Sequence, residues 1–192
     1  MWHESVEKLL QKYADESQIR EAIHRRAFYY YQKAQTAFQL PIIIISAISG
    51  SLQFLSKSFP DYENAIITTT ATLSIGTSII SSIMTYLKLG ESKKSNETAQ
   101  IEWMNFYNHV RYQLSLSREL RDDPQKFLED VKQNYQRLYE ISPIVPKQFI
   151  SKVKKRVQNS ATEQFSIPMY LNGFHHTPVW NEDDEYEDNS EG

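Results

Sequence analysis

Apolar residues are not spread evenly along this chain. Residues 34–56 and 64–87 contain no charged side chain, and Lys33, Lys57, Glu63 and Lys88 bracket them. At about 1.5 Å of rise per residue, each run makes a helix of roughly 35 Å, enough to cross a hydrocarbon core of about 30 Å. A helix of that length in a soluble protein carries charge on its wet side every turn or two. The pattern therefore predicts a transmembrane hairpin, spans 34–56 and 64–87, with a short loop at 57–63. The rival reading is a soluble bundle with this hairpin at its centre. The second run, "NAIITTTATLSIGTSIISSIMTYL", favours the rival through its many hydroxyls. Yet Ser and Thr bond back to the carbonyl one turn earlier, so lipid tolerates them far better than charge.

The flanking pattern is helical and amphipathic. Ahead of the hairpin, Val6, Leu9, Leu10 and Tyr13 predict a short helix. Ile19, Ala22, Ile23, Ala27 and Tyr30 carry a second register toward the first run, so residues 1–33 form an N-terminal amphipathic segment. Pro41 lacks a backbone N–H and crowds the carbonyl of Ala37. A joint between the N-terminal helix and the span is expected there, a kink being the alternative. Residues 88–157 read as a cytosolic helical region. Trp103, Phe106, Val110, Leu114, Ser117 and Leu120 recur at three and four, marking one long helix leaving the membrane. In "DDPQKFLEDVKQNYQRLYEISP", Asp123 can cap a helix whose first residue is Pro124, and the helix should stop before Pro143. Phe127, Leu128, Val131, Tyr135 and Leu138 form its buried stripe. Pro146 opens a further helix through Phe149, Ile150, Val153 and Val157. The fold class is all-α, and the cytosolic core is expected on Trp103, Phe106, Val110, Leu114, Phe127, Leu128, Val131 and Tyr135.

On a helical wheel each span has two faces. Gln35, Gln39, Ser46, Gly50 and Gln53 lie opposite Ala37, Ile44, Ile48 and Leu55. Thr70, Ser74, Thr77, Ser81 and Thr85 make a narrow stripe against Ile75, Ile79, Ile83 and Tyr86. Small and polar residues at such a face pack helices closely and bond across the interface. Alternatively, several hairpins assemble with these faces lining a water-filled path. Neither span holds an ionisable group, so nothing marks a proton relay, voltage sensor or charged filter.

Charge adds orientation. Arg20, Arg25, Arg26 and Lys33 precede the hairpin and Lys88, Lys93 and Lys94 follow it, whereas the loop sets Lys57 against Asp61 and Glu63. This excess places both termini in the cytosol. Phe28, Tyr29, Tyr30, Tyr31, Phe59, Tyr62 and Tyr86 stand where interfacial anchors belong, or pack ordinarily. Lys147, Lys152, Lys154, Lys155 and Arg156 form a basic face, either simply solvated or, for Lys152, Lys154, Lys155 and Arg156, in contact with anionic headgroups. Mean hydropathy is −0.56 and net charge −3, averages that hide this segregation. The last twelve residues, "NEDDEYEDNSEG", hold seven acids, so the rest carries −3 − (−7) = +4. Residues 158–192 are expected to be a flexible, disordered acidic tail that solubilises, shields the basic helix or recruits a partner. Within it, "FSIPMYLNGFHHTPVW" (165–180) is apolar enough to dock somewhere.

Chemistry is scarce. No phosphate loop, zinc-protease motif or nucleophile constellation occurs, and the chain has no cysteine. His175 and His176 are adjacent, which does not suit a shared metal in the i, i+4 manner. The expectation is a protein that is not an enzyme, has no cofactor or metal and makes no sequence-specific contact with nucleic acid. The first run starts too far into the chain, and is followed too soon by the second, for a cleaved leader.

The order of parts resembles the SLATT superfamily of two-transmembrane helical proteins, most closely the SLATT-like membrane proteins of large DNA viruses. "YYYQKAQTAFQLPIIIISAISG", then Trp103, Phe106 and Leu114, then "RDDPQKFLEDVKQNYQRLYEISPIVP" carry the likeness, over roughly Ile19 to Val157. It implies an N-terminal helix, a membrane hairpin and cytosolic helices, with no catalytic residue to transfer. Bacterial members accompany nucleotide-signalling conflict systems as proposed pore-forming effectors. Viral members imply an internal virion membrane or a remodelled host membrane. The leading expectation is an oligomeric two-span structural protein that joins the bilayer to protein partners, such as viral capsid or assembly proteins. The alternative is a pore-forming effector or viroporin-like channel.

Overall fold

The computed structural model describes residues 2–56 and 58–160. Among these the chain is all-helical. The helices are α1 (Glu4–Ser56), α2 (Glu63–Tyr86), α3 (Leu89–Ser115), α4 (Pro124–Ile141) and α5 (Lys147–Ser160), with 3-10 turns at Pro60–Tyr62 and Arg118–Leu120. Two of the helical runs are long and apolar enough to cross a membrane.

The longest element corrects the expectation of a joint at Pro41. Helix α1 runs unbroken through that residue for 53 residues, about 80 Å. Proline removes one backbone bond. A break would create two new helix ends, each with about four backbone groups left without a partner in the helix, a larger loss than the one bond. The short N-terminal helix and the first apolar run are therefore one rod.

Helices α2 and α3 return along α1, α2 against its distal half and α3 against its proximal half. They are not one helix. Lys88 takes a left-handed conformation with φ of 48°, and two residues separate Tyr86 from Leu89. A side chain in that region costs about 1–2 kcal/mol, and the buried Leu89 just beyond it fixes the bend.

The core sits at one end. Leu10 and Ala14 of α1, Trp103, Phe106 and Val110 of α3, and Phe127, Val131 and Leu138 of α4 are buried together. Leu114, Leu128 and Tyr135 pack partly buried against them. Of the eight residues named for this core from the sequence, five are buried in the cluster and three lie at its margin. Trp2 joins from the N-terminus, its ring 6.1 Å from Phe127. Ile19 and Ile23 of α1 meet Val153 of α5 in a second cluster. Phe149, at the start of α5, lies 5.2 Å from Tyr30, so α5 runs antiparallel to α1. The proximal half of α1 with α3, α4 and α5 makes a four-helix bundle.

Helix α4 begins as its sequence dictates. Asp123 accepts from the Lys126 N–H at 3.0 Å, Pro124 takes the first position, and the helix stops at Ile141. Asp123→Ala should lower bundle stability by about 1 kcal/mol in urea titration. Helix α3 stops earlier than expected. It ends at Ser115, so Ser117 and Leu120 lie outside the stripe, and Leu120 is 73% exposed. The reason is a competing cap. Arg121 donates to the carbonyls of Leu114 (3.0 Å) and Leu116 (2.9 Å) and pairs with Glu7, satisfying carbonyls that a continued helix would have used. Helix α5 extends to Ser160, past the expected limit of 157. Residues 161–192, with His175, His176 and most of the acidic tail, lie outside the described residues, as does Lys57.

Candidate functional site

The distal hairpin, α1 beyond residue 33 with α2, has little to bury against. Its inner seam repeats at three and four: Phe38, Ile42, Ile45 and Leu52 are half-buried on α1, facing Ile66, Leu73, Ile80 and Met84 on α2. Thr70 is buried in the same seam. Such a 3-4 spacing is the coiled-coil pattern, in which side chains of one helix fit between those of the other. Everything outside the seam is uncovered. Ile43, Ile44, Ile48, Ile67, Ile75, Ile79 and Ile83 are all exposed. In the most apolar 18-residue stretch of each run, only 6% is buried within the chain. The hairpin is thus a projection from the bundle and not its centre.

The polar face expected on α1 points away from α2. Gln39, Ser46, Gly50 and Gln53 are exposed, and only Gln35 is half-buried. A side chain built at Gly50 would meet nothing within 4 Å. The hydroxyl stripe of α2 divides: Thr70 is buried, Thr77 half-buried, and Ser74, Ser81 and Thr85 are exposed. Four of its five hydroxyls bond back to their own helix. Thr70 donates to the Ile67 carbonyl (3.0 Å), Ser74 to Thr70 (2.8 Å), Thr77 to Ser74 (2.9 Å) and Thr85 to Ser81 (3.0 Å). Each of these four is satisfied within its own helix. At the seam, the Gln35 Oε1 and Ser49 Oγ atoms are buried without a hydrogen-bond partner.

Among the described residues, exposed aromatic side chains mark both ends of the hairpin and exposed basic ones the bundle end. Tyr29, Tyr30 and Tyr86 are exposed at the bundle end, Phe59 and Tyr62 at the loop end. Lys33, Lys88 and Lys94 are exposed near the first set, Lys88 pairing with Glu91 at 3.6 Å and Lys94 with Glu97 at 3.2 Å. Arg20 does not belong with them. It bonds Glu16 at 3.0 Å and lies over the rings of Trp103 (5.2 Å) and Tyr139 (4.7 Å), half-buried against the bundle. Lys152, Lys155 and Arg156 are exposed and Lys154 half-buried on α5. Of that helix's cations, Lys147 lies nearest the hairpin, beside Phe149 at the Tyr30 level.

Between hairpin and core lies a polar layer that periodicity did not reveal. His24 is buried, with Nδ1 at 3.0 Å from Asn96 Oδ1, while the Asn96 amide donates to the Ser92 carbonyl at 2.7 Å. The amide's own donation fixes Oδ1 as acceptor, so the imidazole carries its proton on Nδ1. Burial lowers the His24 pKa; the Asn96 bond opposes this and the Arg20 charge adds to it. An unfolded histidine therefore takes up protons at higher pH than His24 does. Stability should be full above about pH 6.5 and fall as the pH drops below it. Urea midpoints between pH 8 and pH 5 check this, and His24→Gln should flatten the profile. The signal available in the sequence was a histidine inside an apolar register, flanked by Ile23 and Ala27.

No family model matches the chain, and neither does any curated protein or solved structure.

Proposed function

We propose that this protein threads a bilayer twice, through residues 34–56 and 64–87, and holds its four-helix bundle on the cytosolic side as a platform for protein partners. The observation that carries the reading is the uncovered apolar hairpin. Fully burying an isoleucine is worth about 1.5–3 kcal/mol, and the seven named above are each about half exposed. Leaving them in water forfeits on the order of 10 kcal/mol, comparable to the whole net stability of a domain, about 5–15 kcal/mol. Hydrocarbon removes that penalty. The self-bonded hydroxyls, the absence of charge from both spans and the aromatic residues at each end support the same environment. Lys33, Lys88 and Lys94 favour a cytosolic bundle by the positive-inside bias.

Self-association through the outer faces is part of the proposal. Ser46 and Gly50 on α1 and Ser74 and Ser81 on α2 offer small exposed positions for a second copy. The channel alternative has less support, because a five-residue hydroxyl lining needs Thr70 on the water-facing side. By the sequence resemblance to viral SLATT-like proteins, the platform is proposed to join a virion or host membrane to assembly partners, which fractionation of purified virions tests.

Topology is tested by single cysteines in a chain that has none. Ser95→Cys and Lys155→Cys should react with an impermeant thiol reagent from one face of sealed vesicles, and Asp61→Cys from the other. Labelling of all three from the same face would refute the two-span reading.

A further inference from the structure

A groove of about 470 Å³ opens on the bundle between α1, α3 and α5. Ile19 and Ala22, Met104 and Tyr107, and Val153 and Val157 line it from the three helices. Arg25 and Arg156 stand at its edge, and Lys152 and Lys155 lie exposed further along α5. Glu21 also lines it. Its carboxylate is mostly buried and 3.5 Å from Arg25.

We propose that this groove is the docking site for the chain's own C-terminal segment, with apolar side chains of residues 165–180 on its floor and the acids of 182–191 against its cationic edge. Three observations lead there. The first is position. Val157 forms part of the groove wall, α5 ends at Ser160, and Phe165 follows five residues after that, a reach of up to about 17 Å in extended chain. The second is composition. The segment is divided as the groove is, Phe165, Ile167, Met169, Leu171, Phe174 and Trp180 coming first and seven acids with no base after them. The third is Glu21. Burial raises its pKa and Arg25 only partly offsets this, so the carboxylate gains from a hydrogen-bond donor. Tyr170, His175, His176 and Trp180 all supply one.

The tether makes a weak contact sufficient. A short linker holds an attached segment at millimolar effective concentration, so docking needs no more than an ordinary transient interface. The inference does not depend on the membrane reading, since the groove belongs to the bundle.

A spin label at Thr177→Cys in the full-length chain tests it, in both bilayers and detergent. The label should be immobilised. Met104→Glu, which charges the floor at a residue already 42% exposed, should speed its motion several-fold. Replacing Glu182, Asp183, Asp184 and Glu185 together by lysine should do the same while leaving the helical body unaltered. A label that is mobile in the parent chain overturns the proposal. So does one equally immobile in both variants, which would mean that the segment rests on lipid or elsewhere. Immobility lost on dilution overturns it too, because the segment would then be held by a second copy.

Discussion

Aspartate at both Ile44 and Ile75 is expected to move this protein from the membrane pellet to the soluble or aggregated fraction after alkaline carbonate extraction. Ile44 is 57% exposed and Ile75 64% exposed, near the middle of their respective spans. Neither touches the bundle core. A carboxylate at the centre of a spanning helix costs about 2.5–3.5 kcal/mol on insertion scales, so the pair costs about 5–7 kcal/mol of insertion free energy. The same changes on a water-facing helix fall within about 0.5 kcal/mol of neutral. They would also improve solubility by breaking an apolar surface. The two environments therefore give opposite results from one double variant. Unchanged folding with better solubility would end the bilayer reading.

The second large effect belongs to the bundle. Trp103 is fully buried, donates its indole N–H to Ser142 Oγ at 2.8 Å, meets Phe106 and Tyr135 edge-on and lies under the Arg20 guanidinium. Trp103→Ala should cost about 3–5 kcal/mol from cavity formation and lost transfer energy. Loss of the cation–π contact, with Arg20 then left partly desolvated, adds about 1 kcal/mol. Rapid proteolysis between α3 and α5, with the hairpin still in the membrane pellet, is the expected result. Trp103→Phe keeps a ring and loses the bond to Ser142, and should cost about 1 kcal/mol from that bond. Equal protease resistance in the alanine variant would show that the bundle does not rest on this residue.

Much of the helical layout is legible in the order of residues alone. Asp123, Pro124 and the stripe from Phe127 to Leu138 define α4 because cap, first-turn proline and apolar spacing all agree on one answer. The core of α3 is equally plain, since Trp103, Phe106 and Val110 stand among polar neighbours. The hairpin's interface is not legible. Where a helix is uncharged all round, its few polar residues do not mark its inner side, and the 3-4 seam of Phe38, Ile42, Ile45 and Leu52 wins over the face of Gln39, Ser46 and Gly50. Arg20 misleads for a related reason. Charge near a span reads as a flanking cation, yet partners distant in sequence, Trp103 and Tyr139, draw this one inward.

By itself, the sequence determined that two uncharged stretches are long enough to span a bilayer, and that the segments around them are amphipathic helices. Both follow from local composition and period, which involve only neighbours along the chain. Only the tertiary structure decided that α1 passes through Pro41, that the chain bends at Lys88, that the hairpin projects uncovered, and that a groove forms between α1, α3 and α5. Each of these depends on which distant residues meet, as when Arg121 reaches the end of α3 or Phe149 reaches Tyr30. Such meetings are set by competition among packings of the whole chain.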